Sequence, residues 1–215
     1  MRTDHNSERS TVTTTPPTLP APDAVLTGTH IRLEPLTREG IAELAPALRH
    51  AEVFAGGFGG GAAALPDTDD AFVQWYTNYS PSGESARAYL VRDTATGDAI
   101  GTTSLYGANF SRFSTIIGYT AYAPRVWGTT VNPDAKHTLL EAAFSGGFHR
   151  VTFELDARNE RSAAAVTKLG AVREAQLRED RLRADGTWRD TLVFSILAPE
   201  WPQVRERLRA RIDVA

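Results

Sequence analysis

The sequence predicts an α+β domain on three observations. Strand-like runs succeed one another at Arg87–Arg92, Ile100–Tyr106 and Thr115–Ala121, with Thr96-Gly97-Asp98 turning the chain after the first. A hairpin is marked by Asp185-Gly186 between Ala175–Leu182 and Trp188–Leu197. Between these groups, Ile117–Ala171 reads as strand, glycine-bearing loop, helix, strand and helix.

The elements follow in order. Residues 1–24 are rich in Thr, Pro and Ser with few large apolar groups, so a disordered tail is expected before a domain over residues 25–215. Thr29–Pro35 alternates apolar and polar residues like a half-buried strand. After Thr37, residues Ile41, Leu44, Ala45 and Leu48 take helical spacing. Gly56–Gly61 reads as a flexible surface loop, because no helix with Lys or Ser follows where a phosphate cradle would need one. Asp67 or Thr68 caps a helix whose Phe72, Trp75, Tyr76 and Tyr79 share a side. Gly107–Ser114 reads as a polar loop. Asn132 and Pro133 suit the N-cap and first position of a helix buried through Leu139, Leu140, Ala143 and Phe144. Val151, Phe153 and Leu155 alternate as a strand, and the helix from Asn159 stops at Gly170. A final helix buries Trp201, Val204, Leu208 and Ile212, with its arginines on a solvated face.

Composition removes several classes of function. At 215 residues and 41% hydrophobic content the chain supports one ordinary core. A net charge of −3 gathers neither nucleic acid nor anionic membrane, so neither is expected as a partner. No cysteine is present, which excludes disulfides, thiolate metal sites and cysteine nucleophiles. Five scattered histidines form no His-x-x-x-His pair, so no metal is expected. The polar start shows no signal-peptide pattern and no run reaches membrane-spanning length, which leads to a cytoplasmic expectation.

The loop Pro124–Asn132, Pro-Arg-Val-Trp-Gly-Thr-Thr-Val-Asn, carries the chemistry. An apolar strand enters a glycine turn with a helix directly behind, leaving backbone N–H groups at a positive helix end where a phosphate binds. No Gly-x-x-x-x-Gly-Lys-Ser/Thr occurs, and no Gly-x-Gly-x-x-Gly joins a strand to a helix. Arg125-x-x-Gly128-x-Thr130, followed by Asn159-x-x-Ser162 and Lys168-Leu169-Gly170, resembles the two motifs of the GCN5-related N-acetyltransferase (GNAT) superfamily, in particular its ribosomal-protein N-terminal acetyltransferase-like branch. The likeness extends from about Thr29 to the end of the chain.

That resemblance implies a mixed, mostly antiparallel central sheet flanked by helices and splayed at an acyl-CoA site. It implies acetyl-CoA as co-substrate, held by Tyr122, Arg125, Val126, Trp127, Gly128, Thr129, Thr130, Val131, Asn159 and Ser162. Asn159 suits a helix N-cap as well as a cofactor contact. Trp75, Tyr79 and Tyr119 are candidates for the wall of the acceptor pocket. Ser162 is the candidate hydrogen-bond donor to the departing thiolate, and Asp156, with Glu154, the candidate relay for the amine proton. The sequence departs from the family twice: Val166 stands where many members place a thiolate-protonating tyrosine, and Ile116 where related enzymes carry a glutamate base. The expected activity is transfer of acetyl from acetyl-CoA to a primary amine, on a protein N-terminus or a small molecule. The competing expectation is a non-catalytic acyl-CoA-binding sensor or partner module. A homodimer is compatible with either.

Overall fold

In the computed structural model, which describes residues 15–213, alternating sequence becomes one eight-stranded sheet. Its strands are β1 (Leu26–Thr27), β2 (Ile31–Pro35), β3 (Arg87–Asp93), β4 (Ala99–Asn109), β5 (Ser114–Tyr122), β6 (Arg150–Asp156), β7 (Val172–Leu182) and β8 (Trp188–Leu197). They lie in the order β1-β2-β3-β4-β5-β6-β8-β7. Every neighbouring pair is antiparallel except β5 and β6. That parallel pair is joined only from Ser114 opposite Arg150 to Ile116 opposite Thr152. Beyond Ile116 the two strands are no longer paired, and the sheet opens.

Helices cover both faces. α1 (Arg38–Leu48), the short α2 (Ala51–Ala55) and α3 (Asp69–Tyr79) bury Leu44, Phe54, Phe72 and Tyr76 against one side. α4 (Val131–Ser145) and α6 (Trp201–Ile212) bury Leu139, Leu140, Val204 and Leu208 against the other. α5 (Glu160–Leu169) adds Val166 and Leu169 to that second core. The hydroxyls of Thr37 and Thr68 accept from the amides of Gly40 and Ala71, so side-chain caps set the starts of α1 and α3. Gly170, at φ 100°, ends α5 in the left-handed conformation glycine allows.

Four expectations are corrected. Thr15–Ala24 is not a free tail: Pro17 is buried, Leu19 packs on the core, and the Thr18 amide donates to the Gly146 carbonyl at 2.8 Å. Arg87 Nε donates to the Pro20 carbonyl at 2.7 Å. Prolines pre-ordered for extended backbone lower the entropy that composition alone assigns to such a segment. The rest of the expected tail, residues 1–14, lies outside the described residues. The domain therefore begins before residue 25. α4 starts at Val131 with Thr130 as its cap residue, so Pro133 falls inside the first turn rather than opening it. Its missing N–H is tolerated there because early amides have no partner within the helix. Gly107–Ser114 is half strand, with only residues 110–113 left as a turn. Gly107 at φ 59° lets β4 continue to Asn109, whose Oδ1 accepts from the Arg112 amide and closes a tight turn. The Gly56–Gly61 loop is also ordered, with Phe58 buried and Gly59 at φ 67°.

Removing residues 1–24 is expected to lower the melting temperature by several degrees, as buried contacts and the hydrogen bonds of Thr18 to Gly146 and of Arg87 to Pro20 are lost. Gly146→Ala tests the same strap from its other side, since an added Cβ would lie 2.3 Å from the Thr18 carbonyl oxygen. Differential scanning calorimetry on both variants checks this, and unchanged melting would show the strap contributes nothing.

Candidate active site

The opening between β5 and β6 is the mouth of a cavity of about 560 Å³. Ile117–Tyr122 forms one wall and Phe153–Asp156 the other. β5 is bulged there: Thr102 faces Ala121 and Ser104 faces Gly118, which leaves Tyr119 and Thr120 against Thr103 alone. Tyr119 sits at φ 49°, an uncommon conformation for a bulky side chain, and such strain clusters at functional sites. Its ring meets Tyr79 and Tyr106 edge to face, each at 4.9 Å between centroids. Tyr119 and Tyr79 thereby wall the cavity. Trp75 is not part of that wall. It stacks behind Tyr79 at 4.9 Å and packs on Phe54, Phe58 and Phe72.

The loop ahead of α4 lies at one end. Val126, Trp127, Gly128 and Thr129 line the cavity, as do Asn132 and Pro133 from the first turn. Gly128 takes φ 79°, and no atom lies within 4 Å of where its Cβ would stand. Glycine is required there by conformation, and the open space is on the side a ligand would approach. No acceptor engages the amides of Gly128, Thr130 and Asn132 among the described residues. Trp127 Nε1 donates to the Tyr122 carbonyl at 2.9 Å, and the Arg161 guanidinium lies 3.8 Å from the indole centroid. Arg125 points elsewhere, to Asp98 at 3.1 Å, in an exposed pair. Thr130 and Val131 are outside the lining, with Val131 buried in the core.

Five basic side chains line the cavity: Lys136, Arg161, Lys168, Arg189 and Arg211. None makes an ion pair among the described residues. Sequence reading assigned the arginines of the last helix to solvent and passed over Arg161. The missing signal was tertiary, since α5 and α6 come together only in the folded chain. Open amides at a helix start together with unneutralised cations suit a ligand bearing several phosphates.

The second motif is used structurally. Asn159 Oδ1 caps α5 through the Ser162 amide at 2.9 Å, and its Nδ2 donates to the Gly56 carbonyl, tying the glycine-rich loop over the cavity. Ser162 lines the cavity at the start of α5. Asp156 also lines it, yet both its oxygens are taken: Arg183 Nε donates to Oδ2 at 2.7 Å and Nη2 to Oδ1 at 2.8 Å. Burial pulls this carboxyl up, but the Arg183 hydrogen bonds, the Arg158 amide and nearby guanidinium charge outweigh it and hold it below its ordinary value. A carboxylate clamped in this way is a poor proton acceptor, which corrects the relay expected of Asp156. Glu154 is likewise paired with Arg181. Val166 is buried in the cavity wall and carries no proton. Ile116 lies at the last paired position before the opening.

Two further polar groups line the cavity, Tyr122, which the resemblance had placed at the cofactor site, and Arg189, which sequence reading passed over. Tyr122 is buried with no partner for its hydroxyl among the described residues, and burial raises its pKa above the ordinary phenol value. Arg189 has Nε and Nη2 buried without acceptors among the described residues. No group of three or more His, Asp or Glu side chains is gathered for a metal among those residues. No helix among them is long and apolar enough to cross a membrane.

A sheet parted between its only two parallel strands, with a helix start aimed at the gap, defines the class of acyl-transfer enzymes built on this fold. The family model described as an acetyltransferase (GNAT) domain matches residues 30–172, and the chain belongs to that family. A protein from T. thermophilus assigned as an acetyltransferase shares 32% identity at a TM-score of 0.76, over 87% of this chain and 96% of that one. A GCN5-related N-acetyltransferase from Brucella melitensis superposes at a TM-score of 0.80, with 23% identity over 92% of this chain and 89% of its own. A Vibrio cholerae protein assigned as a ribosomal-protein-serine acetyltransferase matches at 0.66 with 17% identity, over 82% and 98% of the two chains, and supports the fold alone. No curated protein matches this sequence.

Proposed function

We propose that the protein is an acetyl-CoA-dependent N-acetyltransferase of the cytoplasm, acting on a primary amine of a protein N-terminus or a small molecule. The observation that carries this reading is the parted β5–β6 cavity with open amides at the head of α4 and unneutralised cations around it, Arg161, Lys168 and Arg211 among them. The amides of Gly128 and Asn132, with Arg161, Lys168 and Arg211, would hold the phosphates of the co-substrate. Its thioester supplies the activated acetyl group. Amides exposed where β5 bulges at Tyr119 and Thr120 would face the oxyanion as it forms. Tyr79 and Tyr119 would position the acceptor, and the Ser162 hydroxyl would stand near the leaving sulfur. Positioning and a fixed electrostatic environment supply much of the acceleration in such transfers.

The decisive experiment measures thiol release from acetyl-CoA across a panel of peptides with free N-termini, amino acids and monoamines. Release that depends on the amine supports the reading. One observation favours the alternative, a non-catalytic acyl-CoA-binding module: Val166 and Ile116 replace family proton-transfer groups, and Asp156 is locked to Arg183. Acetyl-CoA binding with no turnover on any amine would establish that alternative.

Gly128→Val is expected to weaken acetyl-CoA binding about tenfold or more, since a β-branched residue is strained at φ 79° and displaces the loop amides. Calorimetric titration checks it. Undiminished affinity in a folded variant would remove the loop from the site.

A further inference from the structure

The carboxylates of the cavity are paired, yet acyl transfer to an amine that arrives protonated needs a proton acceptor. Lys136, on the second turn of α4, is the residue the proposed mechanism leaves unused. It is 5% exposed and lines the cavity, with its chain directed at the β5 bulge. Its Nζ lies 2.8 Å from Thr120 Oγ1 and 3.4 Å from Thr103 Oγ1, and those two hydroxyls are 2.8 Å apart. No carboxylate is within ion-pairing distance of Nζ among the described residues.

From this placement we infer that Lys136 is the proton acceptor for the incoming amine, working through the hydroxyl of Thr120 on the bulge. The inference rests on the acyltransferase reading. In the uncharged amine one N–H stays on Thr103 Oγ1 while the lone pair turns to accept from the Thr120 hydroxyl, the arrangement that a relay through Thr120 requires. Burial alone lowers the pKa of this lysine to about 7, close to the value a base needs at neutral pH. The carboxylates around it are committed elsewhere. On α4, Asp134 accepts from the amides of Thr29, His30 and Ile31, and the His137 ring packs against Trp201. Across the sheet, Tyr89, Tyr106 and Tyr122 have pKa values raised by burial. Tyr119 is held between two other tyrosines. Glu154 and Asp156 on β6 pair with Arg181 and Arg183. Arg161, Lys168, Arg189 and Arg211 face the cavity from α5, β8 and α6 and bring no negative charge to it.

Residue choice agrees. Only two of the 23 Lys and Arg residues in the chain are lysine. An arginine at position 136 would stay charged at any working pH, whereas lysine loses its proton when desolvated.

The step balances. The acceptor ammonium gives one proton through Thr120 Oγ1 to Nζ and becomes a neutral amine. Its nitrogen bonds to the acetyl carbon and the carbon–sulfur bond breaks. The second proton lost from that nitrogen goes to the thiolate, and the Lys136 ammonium returns its proton to solvent after the products leave.

The test compares wild type, Lys136→Met and Lys136→Arg with acetyl-CoA and an amine from the panel that wild type acetylates. In wild type, kcat/KM should rise with pH through a step near neutrality that belongs to Lys136, separate from the titration of the amine. Lys136→Met should lose about a hundredfold at neutral pH, lack that step, and bind acetyl-CoA unchanged. Lys136→Arg should not restore it. Lysine labelled with carbon-13 gives two NMR signals in the intact wild-type protein, and the Lys136 signal, assigned by its loss in Lys136→Met, should titrate near neutrality. A Met variant that keeps the wild-type pH profile overturns the inference, as does a Lys136 that titrates in the ordinary lysine range. Stoichiometric acetylation of Lys136 by acetyl-CoA also overturns it, because the residue is then a nucleophile. A wild-type protein that binds acetyl-CoA but acetylates no amine removes the acyltransferase reading itself, and this role with it.

Discussion

Asp134→Ala is expected to destabilise the protein by about 3–5 kcal/mol, the range for stripping a buried charge from its hydrogen-bond partners. Asp134 is 1% exposed in the first turn of α4. Its carboxylate accepts from the amides of Thr29 at 3.1 Å, His30 at 2.6 Å and Ile31 at 3.2 Å. Those residues lead into β2, so one side chain joins the sheet edge to the helix that heads the cavity. Alanine leaves three amides without acceptors and removes a negative charge from the positive end of the helix. The fit is close, since a Cβ on Gly28 would lie 2.5 Å from Asp134 Oδ1. A fall in melting temperature of roughly 10 °C or more corresponds to that loss for a domain of this size. Thermal and urea unfolding check it. A drop of only a degree or two would mean that water replaces the carboxylate without penalty. Acetyl-CoA affinity should fall as well, because the open amides lie one turn away.

Arg183→Met carries the second large effect. The Arg183 and Asp156 side chains are 7% and 10% exposed, and Arg183 also donates to Thr187 Oγ1 and the Trp188 carbonyl. The pair fastens the β7–β8 hairpin to the end of β6. Breaking it leaves a largely buried carboxylate without its counter-charge, at a cost of about 3–5 kcal/mol. The double variant Arg183→Met with Asp156→Leu should recover much of the loss, because an apolar pair needs no desolvation. The pH dependence has a definite sign. Asp156 has its folded pKa below the ordinary carboxyl value, so its stabilisation is present above that ordinary value and disappears as pH falls through the folded one. The acid limb of the stability curve should therefore be shallower in Arg183→Met than in wild type. Equal acid limbs would show that Asp156 gains nothing from Arg183. For activity, Asp156→Asn should lower turnover by a similar factor at all pH values, as expected of a residue that holds the hairpin. A loss confined to low pH would restore Asp156 as the proton relay.

Much of the fold could be read from local pattern. Thr37 and Thr68 cap the helices they precede, and Gly170 stops α5, because caps and stops depend on neighbours within a turn. Val151, Phe153 and Leu155 alternate into the core because a strand's period is two. The reading failed where distant residues decide. Composition marked Thr15–Ala24 as unstructured, yet Gly146 and Arg87 supply its hydrogen-bond partners. The glycine run at 56–61 was read as surface loop, and Asn159 ties it to the cavity.

The site divides in the same way. Arg125-x-x-Gly128-x-Thr130 and the motif from Asn159 were sufficient to identify the family and to place a glycine-bearing loop ahead of α4, since a glycine conformation and a helix start are properties of contiguous chain. Which side chains carry charge into the cavity was decided by tertiary structure alone. Arg125 turned to Asp98 while Arg161, Lys168 and Arg211 took the border. Asp156 met Arg183 across the hairpin and ceased to be an available base. Lys136 was one polar residue on a helix until packing removed water from it and set two threonines from neighbouring strands at its amine. Protonation depends on burial and on charges brought from distant parts of the chain, so it is determined only once the strands and helices have assembled.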